Sequence, residues 1–144
     1  MAERIRFVTV DEPAYAGELE LRYRVLREPL GRPRADVPFP FERESLHLVA
    51  ERDAAVVGCV LFHPESAAGG RLFQMAVMPD DRRSGLGRRL VATLEDELRG
   101  RGIRTVHLHA RADVVGFYER LGYAVFGDPF VEVGLAHRHV QKTL

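Results

Sequence analysis

The strongest pattern in the chain is an apolar strand followed, after a short polar turn, by an amphipathic helix. Residues 72–78 are apolar except for Gln74, and a proline and two aspartates at 79–81 end this strand. Between residues 85 and 99, apolar side chains recur at helical spacing, which predicts a helix with one buried stripe. The stripe consists of Leu86, Leu90, Val91, Leu94 and Leu98.

Similar patterns elsewhere predict a mixed sheet with helices on its faces. One hairpin joins residues 46–51 to 55–62, and a second, near the C-terminus, turns at residues 127–129. The order of elements predicts an α/β (mixed α+β) fold, in which a mixed, mostly antiparallel sheet of about six or seven strands is flanked by about three or four helices. At 144 residues, the chain is predicted to be one domain spanning 1–144. The predicted strands are 5–10, 46–51, 55–62, 71–78, 103–109, 123–126 and 131–140, and the predicted helices are 14–27, 85–99 and 112–121.

A proline-rich segment at residues 31–43 is long for a connection between elements. Long loops are commonly functional or mobile. The segment carries Phe39 and Phe41, so two interpretations stay open: it covers a substrate pocket, or the two phenylalanines pin a surface loop.

The turn before residues 85–99 has the chemistry of an anion-binding site. The first N–H groups of a helix lack partners within the helix, and the helix dipole makes this end partly positive. Gly85 and Gly87 have no Cβ, so a bulky anion can approach the backbone closely. The turn is therefore predicted to hold a pyrophosphate, the alternative being a helix capped by Ser84 with solvated arginines. Guanidinium groups suit phosphate oxygens, and those near the turn belong to Arg82, Arg83, Arg88 and Arg89.

Two common phosphate-binding motifs do not fit this turn. The Walker motif ends in Gly-Lys-Ser/Thr, and the turn contains no lysine. The dinucleotide fingerprint needs a third glycine three residues after the second, where this chain has Leu90.

Two segments resemble hallmarks of the GNAT superfamily of N-acetyltransferases. Residues 82–87, Arg-Arg-Ser-Gly-Leu-Gly, match the Arg/Gln-x-x-Gly-x-Gly/Ala signature of this family, and residues 117–123 resemble its Phe-Tyr-x-x-x-Gly-Phe/Tyr segment. The predicted order of strands and helices is also the GNAT order, and the resemblance covers residues 5–140. Residues 21–25, Leu-Arg-Tyr-Arg-Val, resemble a helix of the ElaA-like branch.

The resemblance implies a site for acetyl-CoA. In the family, the turn grips the pyrophosphate, and the free edge of the preceding strand pairs with the pantetheine arm. Arg111 stands where the family usually has asparagine or glutamine, so it is expected to reach a phosphate or a substrate carboxylate instead. The implied cofactor-binding residues are Met75, Ala76, Val77, Arg82, Arg83, Ser84, Gly85, Leu86, Gly87, Arg88, Arg111 and Phe117.

Acetyl transfer from a thioester to an amine benefits from an acid for the leaving thiolate and a base for the amine proton. For the acid, the resemblance points to Tyr118, since a phenol with a pKa near ~10 is protonated at neutral pH; a core tyrosine is the alternative. For the base, His47 and His137 resemble positions in the ElaA-like branch, and histidine titrates near neutral pH. A structural role is the alternative for both, because the sequence shows no carboxylate partner and no metal-like spacing for them.

Composition narrows the function classes further. Acidic and basic residues balance at 21 each, so bulk charge does not indicate a nucleic-acid partner. The single cysteine, Cys59, is expected to be a small core residue in a cytoplasmic protein. The sequence shows no apolar run of membrane-spanning length and no signal-peptide pattern, so neither a membrane partner nor export is expected.

The sequence therefore predicts an N-acetyltransferase that moves an acetyl group directly from acetyl-CoA to an amine, without a metal. A small-molecule amine is the expected acceptor in preference to a protein, and a homodimer stays open. Two alternatives come from other classes: a non-catalytic acyl-CoA sensor on the same fold, and an unrelated nucleotide-phosphate-binding module.

Overall fold

Seven strands form one sheet in the computed structural model, which describes residues 3–144. The strands are β1 (Glu3–Val8), β2 (Leu46–Arg52), β3 (Ala55–Pro64), β4 (Gly69–Val77), β5 (Thr105–Arg111), β6 (Ala124–Glu132) and β7 (Leu135–Thr143). Their order is β1-β2-β3-β4-β5-β7-β6, and every neighbouring pair is antiparallel except β4 and β5. The α-helices are α1 (Ala14–Arg22), α2 (Leu86–Gly100) and α3 (Val115–Arg120). The predicted fold class is confirmed.

The apolar stripe predicted for residues 85–99 packs α2 against one face of the sheet. All five of its members are almost completely buried, and they share a core with Leu48, Phe62 and Leu108 from the strands. Each such leucine stabilises the fold by about 2 kcal/mol. The first helix, α1, packs on the opposite face over β3 and β4.

The two parallel strands, β4 and β5, separate after a short contact. They pair only where Gly69–Arg71 faces Thr105–His107, and beyond this point β5 pairs with β7 alone. A bulge bends β4 at Gln74, whose φ of 54° lies in the left-handed region. The separation opens a gap in the sheet beside the C-terminal half of β4.

The helix predicted for residues 14–27 changes its winding at Arg22. It continues as a π-helix over Tyr23–Arg27 and then as a 3-10 turn over Glu28–Leu30. π-helical turns are rare and concentrate at functional sites. Here the wider turn brings Val25, Leu26 and Arg27 to the gap between β4 and β5.

One predicted turn is wrong. Gly127–Pro129 do not end a strand, because β6 continues through them as a bulge between the pairs Phe126–His139 and Phe130–His137. A proline inside a strand is tolerated here because β6 is the edge of the sheet. The hairpin turns instead at Val133 and Gly134, both with positive φ.

The longest α-helix of the described residues, α2, has 15 residues. Within residues 3–144, no helix has the length and apolarity needed to cross a bilayer.

Candidate active site

Two clefts meet where β4 and β5 separate. The first cleft, of about 610 Å³, runs from the start of α2 to α3, and the second, of about 360 Å³, lies between the π-helical turn, β4, β5 and the β6–β7 hairpin. Volumes of this size suit small ligands. The wall that both clefts share is formed by Leu26, Met75, Arg111, Val114 and Tyr118.

The turn that opens α2 leaves backbone N–H groups facing the first cleft. Gly85 adopts a left-handed conformation with φ 83°, which a residue without Cβ takes without strain. The hydroxyl of Ser84 donates to Asp81 O at 2.6 Å and accepts the N–H of Leu86 at 3.3 Å. No acceptor within residues 3–144 takes the N–H groups of Gly87 and Arg88, so two donors remain for an anion.

Three of the four arginines predicted around this turn line the first cleft: Arg82, Arg83 and Arg88. Arg89 does not, because its guanidinium pairs with Glu3 at 2.7 Å outside the cleft. Arg120 on α3 also lines this cleft, although no motif in the sequence indicated it. The first cleft is therefore strongly positive.

Gly87 lies against the aromatic ring of Phe117, and both residues line the first cleft. A Cβ built on Gly87 would lie 3.3 Å from a ring carbon of Phe117. The glycine thus serves two purposes, exposing backbone to the cleft and letting α3 approach α2.

Met75, Ala76 and Val77 form the part of β4 that β5 leaves unpaired, and all three line the first cleft. The other edge of Ala76 and Val77 is paired with β3, and Met75 lies in the bulge. The edge of these residues on the side of β5 is free of strand pairing. Arg82 reaches back to it, donating from Nε to Val77 O at 3.3 Å.

Tyr118 sits at the junction of the two clefts with 4% of its surface exposed. Its ring packs edge-on against Phe117 and Tyr123. Burial alone raises the pKa of the phenol, with no charged or hydrogen-bonding neighbour contributing. The hydroxyl is therefore a protonated donor at neutral pH.

His47 lies in neither cleft. Its Nδ1 is 2.9 Å from a carboxylate oxygen of Glu18 and its Nε2 is 2.7 Å from Glu42 O, in a cluster that is almost completely buried. Burial lowers the pKa of His47, but the hydrogen bond and charge of Glu18 outweigh it, so the pKa is raised. Both ring nitrogens are occupied, and we no longer propose His47 as the base.

The same cluster has donors close enough to hold a metal: Glu18, Glu42 and His47. A guanidinium already bridges the two carboxylates, since Arg22 donates to Glu18 at 2.8 Å and to Glu42 at 2.7 and 2.8 Å. The arrangement has the chemistry of a structural ion network that ties α1 to the loop before β2.

His137 lines the second cleft and has a carboxylate neighbour that the sequence did not reveal. Its Nδ1 lies 2.8 Å from Leu135 O and so carries the proton, which leaves Nε2 as the basic nitrogen. That nitrogen is 3.7 Å from Glu132, whose other oxygen lies 2.9 Å from Nδ1 of His109. Burial lowers the pKa of His109 despite this carboxylate.

Arg111, which stands where the family usually has asparagine or glutamine, lines both clefts. Its guanidinium pairs with Asp113 at 3.4 Å.

Cys59 is buried, and burial raises the pKa of its thiol far above the ordinary value. A thiol with such a raised pKa stays protonated, and the protonated form is a poor nucleophile.

The loop over residues 31–43 is pinned by its two phenylalanines and also borders a cleft, so both interpretations from the sequence apply. Phe39 and Phe41 pack against Phe73 with ring centroids 5.0 and 5.3 Å apart, which pins the loop. Phe39 also lines the second cleft.

Three residues of the second cleft were not predicted from the sequence: Arg27, Arg71 and Glu132. They come from a helix end and two distant strands, and no local spacing marks them. The register of the β6–β7 hairpin was the one signal that could have indicated Glu132. A turn at Val133 and Gly134 places Glu132 beside the strand that carries His137.

The chain is similar in sequence to known acetyltransferases. The model of the acetyltransferase (GNAT) family matches residues 15–123. The chain is 30% identical over 132 residues to YitI of Bacillus subtilis, an uncharacterized N-acetyltransferase, covering 87% of this chain and 89% of that protein.

Solved structures show the same fold. A candidate N-acetyltransferase from Lactobacillus plantarum superposes with a TM-score of 0.89 at 23% identity, covering 100% of this chain and 99% of that one. Escherichia coli ElaA superposes with a TM-score of 0.84 at 17% identity, covering 98% and 99%. On the match of its sequence and fold, the chain belongs to the GNAT acetyltransferase family and is an N-acetyltransferase.

Proposed function

We propose that acetyl-CoA binds in the first cleft with its diphosphate at the start of α2. Two unpaired backbone N–H groups, a helix dipole and four arginines there suit a diphosphate. The unpaired edge of β4 then offers backbone hydrogen bonds to the pantetheine arm.

The observation that carries the proposal is the position of Tyr118, buried in the wall between the clefts. An acyl group that follows β4 from the first cleft arrives beside this phenol. As the amine nitrogen bonds to the thioester carbon and the C–S bond breaks, the sulfur takes the proton of the Tyr118 hydroxyl. The acylated nitrogen then gives up a proton, which restores the phenol directly or through a water. The phenol is protonated at neutral pH and can therefore donate a proton to the developing thiolate.

The second cleft receives the acceptor amine. An alkyl amine with a pKa near ~10.4 arrives protonated, so it must lose a proton before it attacks. Glu132 and Nε2 of His137 are the acceptors placed for this proton, directly or through a water. The volume of about 360 Å³ and the cover of Phe39 favour a small molecule over a protein segment.

Thermal shift with acetyl-CoA, ATP and NAD, followed by a screen of amines, tests the proposal. Acetyl-CoA at 100 times its Kd stabilises the fold by about 2.7 kcal/mol, or roughly 5–10 °C in Tm. We expect this shift from acetyl-CoA alone, and thiol release with at least one amine. A shift from ATP or NAD but not acetyl-CoA, or binding without turnover of any amine, would contradict the proposal.

A further inference from the structure

The arginines that lack a carboxylate partner concentrate in the two clefts. The chain has 20 arginines, and 12 of them lie within 4.0 Å of a carboxylate oxygen in the structure of residues 3–144. Of the remaining eight, six line a cleft: Arg27, Arg71, Arg82, Arg83, Arg88 and Arg120. The last four of these are explained by the diphosphate of the proposed cofactor. Arg27 and Arg71 line the second cleft, where they are left without an anion.

Arg71 has the geometry of an incomplete ion pair. Its Nε is buried without a hydrogen-bond partner, and Nη2 reaches only the Nδ1 of His109, at 3.3 Å. A guanidinium Nε and Nη together form the fork that donates to both oxygens of a carboxylate. A buried N–H left unpaired is costly, so a ligand that supplies those oxygens gains affinity.

Arg27 faces the same cleft and contacts only backbone oxygens, Leu26 O at 3.2 Å and Asp36 O at 3.5 Å. Burial and the nearby charges of Arg22 and Arg32 lower its pKa. An anion beside Arg27 would relieve this repulsion.

A single carboxylate balances this positive charge within the second cleft. Glu132 lies 2.9 Å from Nδ1 of His109, the nitrogen that Arg71 also approaches, yet Glu132 and Arg71 do not pair with each other. Positive and negative groups thus stand side by side around one histidine. A ligand with an ammonium and a carboxylate a few bonds apart matches both.

We propose that the acceptor is a small amino carboxylate such as a free amino acid, with its carboxylate held by Arg71 and Arg27 and its amine beside Glu132. This inference rests on the proposed function, because it concerns the acceptor of the same reaction. The amine that loses its proton to Glu132 or His137 is the one acetylated, and the carboxylate stays unchanged.

Matched acceptors test the inference on the unmodified enzyme. We would measure thiol release from acetyl-CoA with the twenty common amino acids, their carboxamides and the corresponding decarboxylated amines, with phosphoethanolamine as a separate anionic amine. For the preferred side chain, the amino acid should exceed both analogues that lack the carboxylate by roughly 10- to 100-fold in kcat/KM, as expected for charged hydrogen bonds.

Variants then assign the effect to the arginines. Arg71→Gln should lower kcat/KM for the amino acid by roughly 10- to 100-fold, mostly through KM, and leave its carboxamide nearly unchanged. Arg71→Lys keeps the charge but loses the fork, so it should recover only part of the loss. Arg104→Gln is the matched control, since Arg104 is exposed and unpaired with a carboxylate but lies in neither cleft.

Two outcomes would overturn the inference while leaving the proposed function standing. One is equal or better turnover of the carboxamides, the decarboxylated amines or phosphoethanolamine. The other is an equal loss for the amino acid and its carboxamide in Arg71→Gln. Turnover of no amine, with a normal thermal shift by acetyl-CoA, would overturn the proposed function as well.

Discussion

Replacing Arg22 by methionine should destabilise the protein more than any surface change. The guanidinium of Arg22 is completely buried and donates to Glu18, to both oxygens of Glu42 and, at 2.9 Å, to Val37 O. Methionine keeps most of the volume but leaves two buried carboxylates without their cation. Breaking a buried ion pair in this way costs about 3–5 kcal/mol. Typical total stability is about 5–15 kcal/mol, so the loss is a large share.

The size of this loss should depend on pH through His47. The pKa of His47 is raised by Glu18, so its stabilising charge is fully present below its ordinary value near ~6.5 and is lost as pH rises through the raised value. At pH 5.5 a charged His47 still supports Glu18 after Arg22 is removed. This support is lost as pH rises through the raised pKa, so the free energy lost in Arg22→Met should be larger at pH 9 than at pH 5.5.

Urea denaturation at both pH values, with Arg104→Met as control, measures the effect. We expect a loss of about 3–5 kcal/mol at pH 9, a smaller loss at pH 5.5 and no more than about 0.5 kcal/mol for the control. A loss below about 1 kcal/mol, or one that is the same at both pH values, would refute the reasoning.

Three further predictions concern the clefts. Gly87→Glu should abolish acetyl-CoA binding, because its side chain is bulky and repels the diphosphate. Gly87→Ala should weaken binding only modestly, since its Cβ displaces the ring of Phe117 by a few tenths of an ångström. Calorimetry measures acetyl-CoA binding to both variants. Arg88→Gln should weaken acetyl-CoA binding by roughly 10-fold and reduce its salt dependence, while Arg89→Gln should not, because Arg89 pairs with Glu3 outside the cleft; equal losses would contradict the assigned site. Cys59→Ala should retain kcat within about 3-fold in a thiol-release assay, and a loss of 100-fold would indicate a covalent route.

The first cleft could be predicted well because its signals are local. The strand, the turn and the helix from residue 72 to residue 99 follow each other directly, and the hydrophobic period places each one. The glycines at the helix start act through their own backbone. Even here Arg89 was counted among the arginines available to an anion, because its partner Glu3 is distant in sequence and meets it only in the folded protein.

The second cleft could not be predicted because its chemistry exists only between distant segments. Arg71, His109 and Glu132 come from three different strands, and their contacts depend on the order β4-β5-β7-β6. The structural role of His47 in the buried ion network could not be predicted for the same reason, since its partner Glu18 lies on α1. The π-helical turn that carries Arg27 leaves the apolar period almost unchanged, so the pattern predicted an ordinary helix.

The kinetics of Tyr118→Phe test most directly whether the acyl group meets this phenol at the junction of the clefts. The substitution keeps the ring contacts with Phe117 and Tyr123 and removes only a hydroxyl whose raised pKa comes from burial alone. With the acceptor found in the amine screen, we predict a fall in kcat of roughly 10²- to 10⁴-fold, with the Kd for acetyl-CoA and the Tm nearly unchanged. An unchanged kcat would contradict the account.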